Sequence, residues 1–392
     1  MFHGQGRNYN LKDTMKLIIG ITAPGSVILL EGQLKYFSEL GYTTYLMAPT
    51  HEKVTAYCAA EGCIHLPVKI EREISLLKDF KSLIQVFSHL RKIKPDIVNF
   101  GTPKISLVGL IAAQLLGVKR RIYTCRGFRF EHEVGFKKLL LVTMERITAF
   151  FAQDVICISD SVRNYGLDNR IFPAHKALVI NKGSSNGIPL KRFNPANITP
   201  ESSRILKQHL GLEGHFVFGY VGRLVDRKGI NELYAAFDSL FAANSNLRLL
   251  YVGSPEFEQI ADKSLIDRMK THPGIVMAGS QRDVPLYLSV MDVFVLPAWW
   301  EGFGNVLVHA AAMGKPVIST TGTGTIDAVD PDFNGILVQP KSVEQLKDAM
   351  LQLYNNAPLR EELGSNGIAW AKNFDSPIIW QGMAALYEVS KE

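Results

Sequence analysis

The sequence predicts an α/β protein of two domains, each built on a parallel sheet covered by helices on both faces. Three observations carry that expectation. Short apolar runs of strand length alternate with helix-length amphipathic segments along nearly the whole chain. The alternation breaks once, in a Gly-, Asn-, Ser- and Pro-rich stretch at 181–200, and then restarts. The chain has 392 residues, 47% hydrophobic and 20% charged, which fits two ordinary domains of soluble globular composition.

In the first half, strands are expected at 16–22, 43–47, 64–68, 96–100, 121–124, 155–158 and 177–180. Helices are expected at 30–40, where Gly41 stops the helix, at 54–61, 76–93 and 106–116, and in a second long segment ahead of 155. Strands joined by helices need crossovers, and crossovers imply parallel pairing. The stretch NKGSSNGIPLKRFNPANITP at 181–200 has no period and reads as a linker. Beyond it, strands are expected at 216–221, 248–252, 275–278, 293–297, 316–319 and 335–337. Helices are expected at 229–241, 260–270, 284–291, 305–313, 343–354 and 359–372. The domains divide at 195/196, and a ligand cleft at the carboxyl ends of the strands is the default place for chemistry.

Composition excludes several classes. Four cysteines, Cys58, Cys63, Cys125 and Cys157, form no CxxC pair and point to a reducing compartment rather than a disulfide scaffold. The longest apolar run, 105–118, is too short and too polar to span a bilayer. The opening MFHGQGRNYNLKD has no basic and then apolar segment, so no signal peptide is expected; residues before Met15 are a short extension or a misplaced start. The net charge of +6 is too small to argue for nucleic acid, and is compatible with phosphorylated small molecules or anionic lipid. Basic residues bunch at Arg91-Lys92-Lys94, Lys119-Arg120-Arg121 and Lys137-Lys138, as solvated helix ends or as contacts to phospholipid headgroups.

Four constellations have the residue types for chemistry. In GYVGRLVDRKG (219–229) a strand ends at Gly222, and Arg223 and Lys228 follow, five residues apart, ahead of a helix N-terminus. A planar guanidinium, a mobile ammonium and unpaired helix amides make a diphosphate site; the alternative is surface charge on a loop. In EGFGNVLVHAAAMG (301–314), Gly302 and Gly304 flank Phe303 and let the backbone approach a ligand, while a helix starts near Asn305 and Val306. Glu301 is placed to accept from hydroxyls or to cap that helix, and His309 either meets a ligand or packs in the core. Third, TTGTGT (320–325) offers amides and hydroxyls for a nest, and the downstream Asp330-Pro331-Asp332 reads as a turn rather than a metal site. In the first half, Gly25 lies just past the opening strand. Arg126, Arg129 and His132, between Glu131 and Glu133, follow a later strand. No nucleophile elbow, Walker loop or zinc cluster is present.

These motifs, in this order, resemble the retaining glycosyltransferases of family 4, of two-Rossmann-domain GT-B architecture. The matching text is GYVGRLVDRKG, then VFVLPAWWEGFGNVLVHAAAMGKPVISTTGTGTIDAV at 293–329, with NKGSSNGIPLKRF at the hinge; the flavour is that of bacterial capsule, exopolysaccharide and O-antigen transferases. The resemblance implies a nucleotide-diphosphate sugar as donor in the second domain, UDP- or GDP-linked with UDP favoured and a UDP-N-acetylhexosamine among the candidates, and a lipid-linked or oligosaccharide acceptor in the first. It implies parallel sheets facing across a cleft, no cofactor, no metal, and work at the cytoplasmic face of the inner membrane. By the same resemblance Arg223 and Lys228 hold the diphosphate and Glu301 the sugar hydroxyls. Amides around Gly304, Asn305 and Val306 cap an oxygen, and 374–392 returns to the first domain. The family usually has a second glutamate eight positions after the first, on ribose; this chain has His309 there. The rivals are a sugar-nucleotide epimerase or hydrolase on the same frame, and a non-catalytic partner subunit.

Overall fold

The computed structural model describes residues 14–71 and 75–388. The expected extension before Met15 therefore lies, apart from Thr14, outside the described residues, as do the last four of the returning segment 374–392. Two compact units are present. The first comprises Met1–Ile156, Gly166–Leu178 and Trp380–Glu392, and the second Cys157–Tyr165 and Val179–Ile379.

The first unit contains strands β1 (Lys16–Gly20), β2 (Thr43–Ala48), β3 (Ile64–Pro67), β4 (Ile97–Phe100), β5 (Arg120–Cys125), β6 (Asp154–Cys157) and β7 (Ala177–Val179), in sheet order β3-β2-β1-β4-β5-β6-β7. The registers of β2 with β3, β1 with β2, β1 with β4 and β4 with β5 are all parallel. These strands are apolar on both faces, as a sheet covered on both sides requires: Leu17, Ile18, Val98 and Ile122 are inaccessible. The helix Pro103–Leu115 packs against both Leu76–Ile93 and Gly135–Phe151. The returning helix Ser376–Glu388 gives this unit Trp380, Met383 and Tyr387: the Tyr387 hydroxyl accepts from Asn99 at 2.8 Å, and Trp380 rests on Tyr36 with ring centroids 5.3 Å apart.

The second unit contains β8 (Phe216–Val221), β9 (Leu247–Val252), β10 (Ile275–Met277), β11 (Val293–Val295), β12 (Val317–Thr320) and β13 (Gly335–Val338), in order β10-β9-β8-β11-β12-β13 and parallel throughout. Its core runs through Val217, Phe218, Leu249, Phe294 and Ile318.

Both sheets reverse direction at their centre. The chain moves outward from β1 to β3 and returns to β4 beside β1; it moves from β8 to β10 and returns to β11 beside β8. At such a switch point neighbouring strands send their connections opposite ways, which opens a crevice at their carboxyl ends.

Several elements differ from the sequence reading. The stretch at 181–200 is not a loose linker: Ser184, Ser185, Asn186 and Ile188 are buried. Its irregular backbone is paired, with the Gly187 N–H donating to Ser184 Oγ at 3.1 Å and the Ile188 N–H to the Phe374 carbonyl at 2.7 Å. It thus folds with the second unit. The helix expected at 30–40 is shorter, Gln33–Glu39, and a 3-10 turn, Pro24–Leu30, precedes it. Helices at Asp160–Asp168 and Pro200–His209 were not expected; the latter is capped by Thr199, whose hydroxyl accepts from Ser202 N–H at 3.1 Å. The cluster Lys119-Arg120-Arg121 is not a surface patch. Arg120 pairs with Asp154 at 3.1 Å and donates to the Leu386 carbonyl, while Arg121 donates to the carbonyls of Phe151 and Val118. All four cysteines are buried thiols, and no described helix is long and apolar enough to cross a membrane.

Candidate active site

In the second unit the switch point lies between β8 and β11, and the two sharpest motifs leave from it. The chain exits β8 at Gly222-Arg223. It exits β11 through Pro297, Ala298 and the two tryptophans to Glu301. The segment Asp226–Lys228 makes one 3-10 turn, and Gly229, with φ +72°, starts the helix Ile230–Ala243. A side chain at Gly229 would collide with the Pro297 carbonyl, so this glycine is what brings the two loops together. The Trp299 N–H donates to the Arg227 carbonyl at 2.8 Å, and its indole N–H to Glu232 at 2.9 Å.

That contact sets Lys228 against Glu301. Their ion pair is direct, with side chains only 13% and 14% exposed, and Arg227 Nη1 lies 3.9 Å from the other Glu301 oxygen. Burial lowers the Lys228 pKa, against the pull of the Glu301 carboxylate, and Arg227 and Arg223 lower it further. Arg223 is more exposed and reaches Glu256 at 2.7 Å, while its carbonyl accepts from the buried Tyr220 hydroxyl at 2.7 Å. The Arg227 guanidinium sits over the Trp300 ring, 5.9 Å from its centroid. Three cations and two carboxylates, Glu301 and the more exposed Glu256, therefore converge at the carboxyl ends of β8 and β11.

Beside them the helix Asn305–Ala312 begins. Gly304, with φ +83°, is its N-cap, and the first-turn amides of Asn305 and Val306 have no partner within the helix itself. Asn305 Oδ1 accepts from Ser184 Oγ at 3.1 Å, which ties that helix start to the packed 181–200 segment. Gly302 lies between Glu301 and this cap, and its carbonyl accepts from Ser159 Oγ at 3.1 Å. The Phe303 side chain is buried against Phe374, ring centroids 5.1 Å apart, so only its backbone lies at the site. His309, one turn inside the helix, stacks flat on Phe193 at 3.9 Å with an interplanar angle of 4°. Burial, with the Arg192 guanidinium next, pushes its pKa down to about 3, so the ring is neutral at ordinary pH.

The Thr/Gly loop at 320–325 turns its groups into the fold. Thr325 Oγ1 donates to the carbonyls of Thr320 and Gly322, and the Gly324 N–H donates to Ser161 Oγ, itself bonded to Asp327. Asp330 and Asp332 form the turn the sequence suggested, with the Asn334 side chain accepting from the Asp330 N–H at 2.7 Å. Among the described residues no group of three potential metal ligands converges.

The remaining candidates lie in the first unit. Gly25 is in the exposed turn after β1, and His132 is half exposed, 3.9 Å from Glu131. Arg126 turns inward to the Gly101 carbonyl, and burial lowers its pKa to about 10. Arg129 lines a cavity of about 640 Å³ at the β1/β4 switch point, with Thr22, Ser26, Lys104, Lys137 and Glu145. Sequence reasoning missed Lys104 and Glu145 there. Lys104 is buried and pairs with Asp79 at 2.6 Å; Glu145 accepts from the Tyr123 hydroxyl at 2.7 Å, and burial raises its pKa to about 7. Arg227 and Glu256 were missed in the second unit, although Arg227 stands inside GYVGRLVDRKG.

Residues 202–370 match the family described as glycosyl transferases group 1, and residues 30–183 the glycosyl transferase 4-like domain. The capsular polysaccharide biosynthesis glycosyltransferase CapM of Staphylococcus aureus is 35% identical over 368 residues, covering 94% of this chain and 95% of the relative. The chain belongs to the glycosyl transferases group 1 family. A second relative, the UDP-Gal:alpha-D-GlcNAc-diphosphoundecaprenol alpha-1,3-galactosyltransferase of Escherichia coli, is 30% identical over 294 residues, 74% of each chain. The crystal structure of Anabaena HepE in complex with UDP-glucose superposes with a TM-score of 0.78 at 20% identity, over 95% of this chain and 99% of that one. The two parallel Rossmann-like sheets are thus those of the GT-B fold, and this family member is a glycosyltransferase.

Proposed function

We propose that this glycosyltransferase moves a sugar from a nucleotide-diphosphate donor, UDP-linked by preference, to a lipid-diphosphate-linked or oligosaccharide acceptor during cell-surface polysaccharide assembly. The observation that carries the reading is the buried Lys228–Glu301 pair, with Arg223 and Arg227 beside it, at the β8/β11 switch point and next to a helix N-terminus. Cations and amides held this way neutralise charge that grows on a departing diphosphate. A carboxylate among them suits sugar hydroxyls better than phosphate. The names of the Staphylococcus aureus and Escherichia coli relatives support a polysaccharide product and a diphosphate-lipid acceptor.

Transfer proceeds with retention of the anomeric configuration and without a metal. The acceptor hydroxyl attacks the face from which the diphosphate leaves, and a diphosphate oxygen takes its proton. Arg223 and Lys228 stabilise the leaving group, and Glu301 orients the sugar. Work at the cytoplasmic face of the inner membrane follows from a lipid-linked acceptor. Proton NMR of the product, formed in excess EDTA, tests both features together. The donor's anomeric configuration should be kept and the rate unchanged; an inverted linkage or abolition restored by manganese overturns this mechanism.

A further inference from the structure

The helix Gly135–Phe151 is amphipathic the wrong way round for a water-facing surface. Its buried face carries Glu145, Thr148 and Ala149. Its opposite face carries Phe136, Leu139, Thr143, Ile147 and Phe150, which fall within roughly an 80° arc at helical spacing. Phe136 is 79% exposed, Leu139 61% and Phe150 75%, and Val134 just ahead of the helix is 82% exposed. Among the described residues of the second unit, no large hydrophobic side chain exceeds the 52% of Ile205. Scattered apolar side chains on a surface need no account, but a stripe along one helix does.

The charges around the stripe say what covers it. Outside its buried face, the helix carries only basic charges, Lys137 and Arg146, one on each side of the stripe; Lys138 lies on the far side by helical spacing, and Glu131 and Glu133 precede the helix. Glu133 pairs with Lys137 at 2.6 Å, and Arg146 donates to the carbonyls of Asn169 and Arg170 without losing its charge. A second copy of the chain on this face would set those cations against their own counterparts across a two-fold axis. An anionic lipid surface complements both features at once, apolar side chains toward the acyl boundary and cations at the phosphates.

We propose that the helix Gly135–Phe151 docks on an anionic bilayer, burying Phe136, Leu139, Ile147 and Phe150 at the acyl boundary while Lys137 and Arg146, on either side of the stripe, meet the headgroup phosphates. The same helix supplies Lys137, Leu140, Leu141, Met144 and Glu145 to the 640 Å³ cavity at the β1/β4 switch point. Docking therefore holds that cavity within about one helix diameter, roughly 10 Å, of the lipid. That consequence rests on the reading of a lipid-linked acceptor; the docking itself does not.

Flotation of the full chain with phosphatidylcholine vesicles, with and without phosphatidylglycerol, tests the proposal. The protein should float with the anionic vesicles, less so in high salt. Phe136→Asp with Phe150→Asp should lower that partitioning by at least about tenfold, with UDP affinity unchanged as the control for folding. Phe136→Trp should still float, with fluorescence that shifts to the blue and is quenched by brominated acyl chains. A parent that does not float, or a double variant that floats equally well, overturns the proposal. So does a parent dimer that the double variant converts to monomer, since a second copy would then cover the stripe. Vesicle binding without sugar transfer to a lipid-diphosphate acceptor would refute the acceptor reading and leave the docking intact.

Discussion

Glu301→Gln isolates the electrostatics of the proposed donor site. In the unliganded protein Glu301 is the direct partner of a buried lysine, with Arg227 and Arg223 close enough to oppose the lysine's charge. Removing one partner of a buried ion pair leaves the other charged and uncompensated, at about 3–5 kcal/mol. The small remaining exposure of both groups puts this pair near the lower end, about 3 kcal/mol. For a unit of roughly 200 residues that amounts to a fall in Tm of about 6–12 °C. UDP should then stabilise Glu301→Gln more than the parent, because the diphosphate supplies the missing counter-anion as well as its ordinary binding contribution. Lys228→Met combined with Glu301→Gln should recover part of the loss, since no buried charge is then left alone. Scanning calorimetry with and without UDP reads all three effects. A Glu301→Gln Tm within about 2 °C of the parent, or a UDP-linked gain no larger than the parent's, refutes the reasoning.

His309→Ala should weaken UDP binding by up to about tenfold if the ring meets the ribose. Unchanged affinity by calorimetry in a folded variant assigns His309 to its stack on Phe193 alone. Because its pKa is pushed down to about 3, no imidazole titration should appear in UDP affinity between roughly pH 5 and 8. Arg223→Ala should lose kcat by far more than it loses UDP affinity, because a half-exposed guanidinium already paired with Glu256 contributes most when the diphosphate gains charge. Glu145 has a folded-state pKa raised from 4.5 to about 7, so between those values the native chain holds a proton that the unfolded chain has lost. Stability must therefore fall as pH rises from about 4.5 to 7 and level off above, by about 3 kcal/mol from this group. Glu145→Gln should flatten that slope and raise Tm at about pH 8, read by thermal denaturation across the pH range.

The fold, and the convergence of Arg223, Lys228 and Glu301 at one switch point, were legible because their determinants are local. Strand ends, helix starts and the glycines between them lie within single runs such as 219–229 and 301–314, and the switch-point rule places those runs together. What stayed hidden depends on contacts between distant segments. Nothing near Arg120 announces that it pairs with Asp154 and reaches the Leu386 carbonyl, so a basic triplet read as surface charge. The 181–200 stretch lacks periodicity because its order comes from hydrogen bonds to Phe374 and Asn305, not from a regular element. The helix Gly135–Phe151 is apolar at so many positions, Leu140, Leu141 and Met144 included, that its period cannot say which face is inside. Only the burial of Glu145 and the exposure of Phe136 and Phe150 fix that.

Both switch points share one arrangement. Each places a buried or largely buried lysine at the carboxyl ends of its central strands, and each lysine has a carboxylate of the same chain against it: Lys228 with Glu301, Lys104 with Asp79. A crevice built to accept anions is lined with positive charge, and in a low-dielectric wall that charge is unfavourable until something answers it. A chain that must also fold without ligand offsets that penalty with an internal counter-ion. Under the proposed function, an arriving anion would displace the carboxylate from its lysine, so little additional charge would have to be desolvated in the protein. The released carboxylate stays beside the incoming group and can accept hydrogen bonds from its hydroxyls. At β8/β11 that carboxylate is Glu301, and under the proposed function it would have two successive tasks: pairing with Lys228 before the donor binds, as it does here, and meeting the sugar afterwards.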